Sequence, residues 1–328
     1  MKKKSFSEQV IAWQKLDGRN HLPWQKNPSK YRVWVSEIML QQTQVVTVLD
    51  RGFYRRWLEV FPDFKQLAEA EESEVLRMWE GLGYYSRARN LHKLAKIVVY
   101  ELENHFPKDV EQIEALPGIG KYTAGAIASF AFDSPVPAVD ANIARVLARI
   151  FDFQERIDTS VGKKQIWEWA ADLVPSSGGR IWNSALMELG QTLCGPRKTF
   201  CNECPIAESC RCVEPLGLPI KKLKQGVTNI DEHVILNIRN GKVLLEQETG
   251  NRRKGMWKLP SRDKKEVTKL DLITTQNYGI TRYKVKMHIY KSKNAQLNEN
   301  EKWVSLDELA SLPVPSPYRR ALELITKV

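Results

Sequence analysis

Two carboxylates stand in sequence contexts that suit general acid–base chemistry. Glu37 lies within the apolar stretch VSEIML, where burial would raise the pKa of its carboxyl group and make it a candidate proton donor. Asp140 directly precedes a predicted helix, and a carboxylate at a helix N-terminus tends to stay ionised. Two carboxyl groups whose pKa values are pushed apart are the usual pair for cleaving a glycosidic bond. A partly exposed helix glutamate and a capping aspartate remain the alternatives, because spacing does not show whether the two residues face each other.

The cysteines form a second group that could carry chemistry. All five lie between Cys194 and Cys212, and this clustering argues against a disulfide scaffold and for one metal site. Four thiolates can hold either zinc or an iron–sulfur cubane. Zinc ribbons usually pair two C-x2-C hooks, whereas the spacing here, C-x6-C-x2-C-x5-C, contains one. The candidate ligands are Cys194, Cys201, Cys204 and Cys210, and Cys212 is a spare thiol.

A glycine-rich turn precedes the segment that carries Asp140. In LPGIGKYTAGAI, Gly118 and Gly120 can adopt backbone angles that other residues avoid. They also leave bare N–H groups at the start of a predicted helix, Tyr122–Phe130, where a phosphate group is stabilised. The stretch from Leu116 to Arg149 therefore predicts a helix–turn–helix that binds an anion, and a tight turn without a ligand is the alternative.

Composition narrows the class of protein. The chain has 328 residues, enough for two domains, with a formal net charge of +11 and a pI of about 9.3, which favours a polyanionic partner. From Gln225 onward there are 19 basic and 12 acidic residues, so the last third is the more basic part. No apolar run is long enough to span a membrane, and the amphipathic N-terminus does not resemble a signal peptide. We therefore expect a cytoplasmic protein.

Apolar periodicity predicts helices in the part of the chain before Cys212 and a mixed architecture after it. The predicted helices of the first part, besides Tyr122–Phe130 and the one after Asp140, are Ser5–Lys15, Trp34–Asp50, Phe64–Ala70, Ser73–Trp79, Ser86–Asn104, Val110–Ala115, Gly162–Val174 and Arg180–Cys194. The predicted strands of the second part are His233–Arg239, Lys242–Glu248, Trp257–Pro260 and Tyr283–Lys291. Asn240-Gly241 predicts a hairpin turn between the first two strands. Helices are predicted over Trp303–Leu312 and Tyr318–Leu324.

These patterns predict a multi-domain fold class. An all-α domain covers residues 1–212 and includes the cysteine loop at 194–210. A linker rich in proline, glycine and lysine covers 213–229, and a smaller α+β domain covers 230–328.

From about Ser7 to Leu324 the chain resembles the MutY-type adenine DNA glycosylases of the helix-hairpin-helix/endonuclease III superfamily. The motifs that carry the resemblance are LPWQ, WVSEIMLQQTQV, GLGYYSRARNLH, LPGIGKYTAGAI, VDANIARVLAR, WNSALMELGQTLC and the four-cysteine spacing. The resemblance implies a helix-hairpin-helix glycosylase domain with a [4Fe–4S] cluster, followed by a Nudix-like (MutT-like) domain that recognises the opposite base. It also implies a monomer that acts on double-stranded DNA containing an A:8-oxoguanine or A:G mispair, so that it associates with the nucleoid.

The resemblance assigns roles to individual residues. Glu37 would protonate the adenine, Asp140 would stabilise the positively charged sugar, and Asn142 would support that site. Tyr122 occupies the position where bifunctional relatives carry a nucleophilic lysine, which implies a monofunctional enzyme. The implied substrate-binding residues are Glu188, Trp24, Leu40, Gln42, Tyr84, Thr281 and Arg282, with Gln42 and Tyr84 as wedges in the duplex. The implied DNA-binding residues are Gly118, Gly120, Lys121, Gln41, Thr43 and Arg87.

The C-terminal part departs from the family in one loop. No run resembles the Nudix hydrolase signature, so pyrophosphatase activity is not expected. The loop that senses the lesion carries an aromatic residue, then serine or threonine, then histidine in the family, whereas this chain has Ile280, Thr281 and Arg282. Two alternatives therefore stand beside the adenine glycosylase: a glycosylase of the same fold with another mismatch preference, and a non-catalytic protein that binds damaged DNA.

Overall fold

The computed structural model describes residues 3–26, 28–223, 226–250, 252–293 and 297–326. The contacts divide the chain into two compact units: Met1–Val48 with Ile97–Leu223, and Leu49–Lys96 with Lys224–Val328. The linear boundaries at 212/213 and 229/230 stay a prediction, and Asn27, Lys224 and Gln225 lie outside the described residues. No helix in the described ranges combines the length and the apolar character that crossing a bilayer requires.

The first unit is helical. Its helices are α1 (Lys3–Asp17), α2 (Pro23–Lys26), α3 (Lys30–Leu40), the start of α4 (Val45–Asp50), a π-helical turn (Ile97–Glu101), α9 (Val110–Glu114), α10 (Lys121–Phe132), α11 (Ala141–Ile150), α12 (Ser160–Leu173) and α13 (Gly179–Thr192). The apolar faces of α1, α11, α12 and α13 meet in one core, in which Phe6 packs edge-to-face against Trp182 at 5.9 Å. Helix α11 joins this core because its apolar residues recur at helical spacing and so lie on one face. These residues, all buried, are Ile143, Val146, Leu147 and Ile150.

The second unit combines helices with two sheets. The helices are α5 (Phe53–Val60), α6 (Phe64–Glu69), α7 (Glu72–Met78), α8 (Ser86–Lys96), α14 (Lys264–Val267), α15 (Leu306–Leu309) and α16 (Ser316–Thr326). The strands are β1 (Thr228–Leu236), β2 (Ile238–Arg239), β3 (Lys242–Gln247), β4 (Trp257–Lys258), β5 (Asp271–Ile280), β6 (Tyr283–Lys291) and β7 (Glu301–Ser305). One sheet has the order β1-β6-β5, with β1 and β6 parallel; in the other, β3 pairs with β2, β4 and β7. Apolar residues of both sheets and of α16 form one core, which includes Val234, Met287 and Tyr318.

The predicted fold class, helices followed by a smaller α+β part, is confirmed, and so is the hairpin at Asn240-Gly241. Both turn residues have positive φ, 51° and 69°, and β2 pairs antiparallel with β3. This is the geometry that an Asn-Gly turn favours.

Two predicted helices were wrong in detail, and one strand was not predicted. The single helix Trp34–Asp50 is two helices, because Gln42 adopts a left-handed φ of 58° that a helix cannot continue through. Strand β5 was missed because most of its side chains are solvent-exposed and polar, which hides the apolar alternation. The predicted helix Trp303–Leu312 begins as strand β7, and the short α15 starts only at Leu306.

Candidate active site

One cavity of the first unit, about 460 Å³ in volume, collects most of the residues predicted to act on a substrate. Its walls include Trp24, Glu37, Leu40, Thr43, Tyr122, Asp140, Asn142 and Glu188. These residues come from α2, α3, α10, α11, α13 and the loops beside them. The cavity size falls within the range typical of small-ligand sites.

Glu37 is placed on this cavity by helix α3. Ser29 caps the helix by accepting a hydrogen bond from the backbone N–H of Arg32 at 3.2 Å, and the following residues bury the face that carries Glu37. The side chain is 7% exposed, and the Tyr122 hydroxyl donates a hydrogen bond to its Oε2 at 2.7 Å. Burial raises the pKa of Glu37 to about 7, against the opposing effect of the Tyr122 hydrogen bond. The charge of the nearby Asp140 contributes to this upward shift.

Asp140 caps helix α11. Its Oδ1 accepts a hydrogen bond from the backbone N–H of Ile143 at 2.7 Å, and its Oδ2 accepts one from Asn142 Nδ2 at 2.6 Å. The sequence predicted a carboxylate that the helix N-terminus keeps ionised, but burial raises the pKa of Asp140 above its usual range. The two hydrogen bonds act in the other direction because they stabilise the charged form. The contrast between the two carboxyl groups is therefore smaller than the sequence suggested.

The loop that leads to Asp140 is held by a buried amide. Asn183 donates to the Val136 carbonyl at 2.9 Å and accepts from the Ala138 N–H at 3.0 Å. Gly125 of α10 lets this loop approach closely, because a Cβ there would stand 2.2 Å from the Pro137 carbonyl oxygen. These contacts fix the backbone two residues before Asp140.

Asn142 is itself fixed from the other side. Its Oδ1 accepts a hydrogen bond from Arg145 Nη2 at 2.9 Å, and the same guanidinium donates to the carbonyls of Cys194 and Gly190 at 2.9 and 2.7 Å. Gly190 leaves room for Asn142, since a Cβ at this position would lie 2.8 Å from the Asn142 Cβ. These contacts fix the orientation of the Asn142 side-chain amide, which donates a hydrogen bond to Asp140.

Arg19 is a cavity residue that sequence reasoning missed. Its Nε and Nη2 atoms form a bidentate ion pair with Glu188 at 2.7 and 2.8 Å, and Nη2 also donates to Gln191. The hydrogen bond to Glu188 raises the pKa of Arg19 above its usual range. The signal in the sequence is weak: Arg19 lies in the predicted loop that precedes LPWQ.

The other residues predicted to bind DNA in this unit lie outside that cavity. Gly118 adopts a φ of 77°, and Gly120 opens helix α10 with free space around its Cα. Lys121 is exposed, with its Nζ 4.3 Å from the centre of the Trp167 ring. Gln41 donates to the Thr123 hydroxyl at 3.3 Å, and Gln42 is exposed.

The second unit holds a separate cavity of about 580 Å³. Its walls include Tyr84, Thr281 and the guanidinium groups of Arg252, Arg253 and Arg320. Tyr84 is 42% exposed and Thr281 is exposed, and both have positive φ, 48° and 52°. Such angles are uncommon for residues with a Cβ.

Two residues of this unit that were predicted to contact DNA, Arg87 and Arg282, make contacts within the protein. Arg87 is buried, and its Nη2 donates to the carbonyls of Leu82 and Gly83 at 2.9 and 3.2 Å, which holds the turn before Tyr84. Arg282 does not line the cavity; its guanidinium lies 5.2 Å from the centre of the Tyr283 ring. Contacts of these two residues with DNA stay predictions.

The cysteines lie around a third cavity, of about 110 Å³, in the first unit. Its walls include all four predicted ligands, the spare Cys212 and Arg149. Burial, together with a smaller contribution from the neighbouring cysteines, raises the pKa of the Cys204 thiol to about 11. Among the described residues no three metal-ligating side chains lie close enough together to hold one metal ion. A cubane binds each thiolate to a different iron, and four cysteines around one cavity supply the number of thiolates that it requires.

The chain is similar to known DNA glycosylases in sequence and in fold. Residues 35–172 match the family model described as HhH-GPD superfamily base excision DNA repair protein. The adenine DNA glycosylase of Buchnera aphidicola subsp. Acyrthosiphon pisum (strain APS) is 30% identical over 100% of this chain and 99% of its own length. The adenine DNA glycosylase of Rattus norvegicus is 40% identical over 74% of this chain, which spans 48% of that protein.

A solved structure of a thermostable thymine-DNA glycosylase covers 64% of this chain and 95% of its own chain, with 29% identity and a TM-score of 0.58. The similarity therefore extends from sequence to the helical fold that surrounds Glu37 and Asp140. The Buchnera protein matches over its whole length, and on this basis the chain belongs to the adenine DNA glycosylase family.

Proposed function

We propose that this chain is a monofunctional DNA glycosylase of base excision repair. It hydrolyses the N-glycosidic bond of adenine mispaired with 8-oxoguanine or guanine in double-stranded DNA. The observation that carries the proposal is the buried Glu37, whose pKa is about 7 and whose carboxyl group shares a cavity with Tyr122 and Asp140. Because DNA is the proposed substrate, the protein works at the nucleoid.

The reaction begins with extrusion of the adenine from the duplex, which costs a few kcal/mol of stacking and pairing. Gln42 and Tyr84 are the proposed wedges; both have exposed side chains and a left-handed backbone conformation. The extruded base enters the 460 Å³ cavity, where Trp24 and Leu40 are apolar walls. Glu188, held by Arg19, offers carboxylate oxygens to the amino group of adenine.

Glu37 then acts as the general acid. Adenine is a poor leaving group until a ring nitrogen is protonated, and a carboxyl group with a pKa near neutrality keeps a proton available for this step. As the glycosidic bond breaks, positive charge develops on the sugar. The Asp140 carboxylate stabilises that charge, and Asn142 holds the carboxylate in place. Water completes the hydrolysis.

Tyr122 makes the proposed enzyme monofunctional. A phenol cannot form a Schiff base with the sugar, whereas a lysine amine can. Its hydroxyl instead donates to Glu37.

DNA binding is proposed for the hairpin of Gly118 and Gly120 with Lys121, Gln41 and Thr43 in the first unit, and for Arg87 in the second unit. The bare backbone N–H groups of such a turn favour a phosphate group. The net charge of +11 supports a polyanionic partner.

The proposed cofactor is a [4Fe–4S] cluster on Cys194, Cys201, Cys204 and Cys210. When bound, it would crosslink the loop at 194–210, which carries Arg197 and Lys198, and so fix these basic residues for phosphate contact. The proposal predicts a brown protein with about four irons per chain. A colourless protein with stoichiometric zinc would contradict it.

The loop of Thr281 and Arg282 in a Nudix-like domain is the proposed site that recognises the base opposite the adenine; Thr281 lines the cavity of the second unit, and Arg282 follows it outside that cavity. Because the family's histidine is absent from this loop, a second candidate is a glycosylase of the same fold with a different opposite-base preference. The third candidate, a non-catalytic protein that binds damaged DNA, is less well supported because both carboxyl groups line one cavity.

A single experiment separates the three candidates. Base release is measured under single-turnover conditions on duplexes that vary both bases of one pair, with abasic sites revealed by heating in base. We expect release of adenine opposite 8-oxoguanine and guanine, and none from A:T. Release of another base, or of adenine opposite other partners only, would favour the second candidate; tight binding without any release would favour the third. Glu37→Gln is the matched control, because it keeps the cavity and removes the acid.

A further inference from the structure

Helix α11 carries a buried arginine that the proposed reaction does not use. The Arg149 side chain is 1% exposed and lines the cavity of the cysteines. Its Nη1 donates to the Cys194 sulfur at 3.2 Å and to the carbonyls of Cys194 and Gly195 at 3.1 and 2.9 Å. Its Nε donates to the Leu218 carbonyl at 3.1 Å. One guanidinium therefore holds the chain on both sides of the cysteine loop.

The backbone of the same residue contacts the other end of the loop. The Cys210 thiol donates to the Arg149 carbonyl at 3.6 Å, so Arg149 touches the first and the last of the four predicted ligands. The next residue, Ile150, accepts a hydrogen bond from the N–H of Arg211 at 3.0 Å. The start of the loop is thus bound to the Arg149 side chain, and its end to the helix backbone.

The charge of Arg149 has no carboxylate partner among the described side chains. A buried guanidinium stays charged and is costly unless an anion compensates it. Its backbone acceptors are carbonyl dipoles, which carry no net charge. The remaining acceptor is the Cys194 sulfur, which becomes an anion when the thiol is deprotonated to bind a metal. The structure therefore sets a buried guanidinium within hydrogen-bond distance of the sulfur of a proposed cluster ligand.

We propose that Arg149 is a positioning residue for the cluster: it supplies the buried counter-charge to the Cys194 thiolate and sets the potential at which the cluster exchanges an electron. Hydrogen bonds to ligand sulfurs and nearby charges are known determinants of that potential. A positive charge stabilises the more reduced, more negative form, so Arg149 raises the midpoint potential. This inference rests on the [4Fe–4S] assignment in the proposed function, but not on the base that is released.

Three variants of the full chain test the proposal. Arg149→Lys keeps the charge and loses the planar fork of donors, whereas Arg149→Met keeps an unbranched side chain and loses both. Arg211→Met is the matched control, because it removes an exposed charge between Cys210 and Cys212 where solvent screens it. For each protein we would measure iron content, visible absorbance and the midpoint potential of the cluster.

We expect Arg149→Met to shift the midpoint potential to lower values, Arg149→Lys to shift it less, and Arg211→Met to leave it close to the wild-type value. A fully loaded Arg149→Met protein with the wild-type potential would overturn the proposal. So would an equal shift in Arg211→Met, which would show that any nearby charge has this effect.

A measurement on the unaltered protein covers the case in which Arg149→Met does not fold. With arginine labelled by 15N, pulsed EPR of the paramagnetic cluster should detect a coupled guanidinium nitrogen that disappears in Arg149→Lys. Absence of the coupling, or its persistence in Arg149→Lys, would refute the contact. A wild-type protein without iron would overturn this inference together with the cofactor, while base release is judged separately by the duplex assay.

Discussion

The Tyr122 hydroxyl donates a 2.7 Å hydrogen bond to Oε2 of Glu37, and this contact joins helix α10 to helix α3 across 85 residues of sequence. Burial alone would push the Glu37 pKa further up, whereas the hydrogen bond stabilises the carboxylate and lowers it. The value of about 7 is the balance of these opposing effects together with the charge of Asp140. Tyr122 thus adjusts the acid that the proposed reaction needs.

A pH dependence follows from this balance. Protonated Glu37 is the proposed reactive form, so the single-turnover rate of adenine release should fall as pH rises through about 7. Tyr122→Phe removes the hydrogen bond that lowers the pKa of Glu37. The pH at which the rate of adenine release falls should therefore increase by roughly 0.4–1 unit. Glu37→Gln should abolish release while duplex binding persists. If the rate of Tyr122→Phe falls at the same pH as that of the wild type, the role assigned to the Tyr122 hydroxyl is wrong.

Glu37 should also cost the protein stability at alkaline pH. Its pKa is raised from 4.5 to about 7 on folding, so the stabilisation by the neutral form is complete below about 4.5 and is lost as pH rises through 7. Glutamine does not titrate. We therefore consider the free energy of unfolding of Glu37→Gln minus that of the wild type. This difference should be larger at pH 9 than at pH 5, by up to about 3 kcal/mol. Denaturant unfolding at both pH values measures this, and an unchanged difference would show that Glu37 titrates normally.

Asp140→Asn should stop base release without unfolding helix α11. The amide oxygen can still accept from the Ile143 N–H and cap the helix, but it cannot neutralise a sugar cation. Asp140→Ala should lose the cap as well, at about 1 kcal/mol. Single-turnover rates and thermal melts of both variants separate the two contributions, and wild-type turnover by Asp140→Asn would exclude the proposed role.

Strand cleavage should be absent without added base or heat, because Tyr122 cannot form a Schiff base. Borohydride should therefore trap no covalent adduct at the rate of base loss. Lys121 is the control position: its Nζ lies over the Trp167 ring, and Lys121→Ala should leave the absence of trapping unchanged. An adduct that forms in wild type and disappears in Lys121→Ala would identify a lyase that we do not expect.

Arg282 should weaken the preference for 8-oxoguanine over guanine opposite the adenine. The guanidinium has only donors, whereas the neutral histidine of the family can also accept from the N–H groups of a syn lesion. In the structure it lies against Tyr283, with Nη2 donating to the phenol oxygen at 3.3 Å. Arg282→His should raise the ratio of single-turnover rates on the two duplexes. A large wild-type ratio that Arg282→Ala destroys would show instead that Arg282 senses the lesion.

The helices around the proposed active site could be predicted from local sequence because their signals are local. The apolar spacing of α11, the Asp140 cap and the glycine turn each lie within a few residues. Strand β5 and the break at Gln42 could not be predicted in this way. An exposed strand gains its stability from pairing with β6, and the left-handed residue at 42 has no glycine to announce it.

The sequence by itself determined the types of residue available for chemistry: two acids in suitable contexts, a tyrosine where a lyase needs lysine, and four clustered cysteines. Only the tertiary structure decided which of them meet. The Tyr122–Glu37 bond, the Arg19–Glu188 pair and the Arg149–Cys194 contact join residues 45 to 169 positions apart. Such contacts depend on how helices pack, and burial, which sets the pKa of Glu37 and of Asp140, is a property of that packing and not of either residue alone.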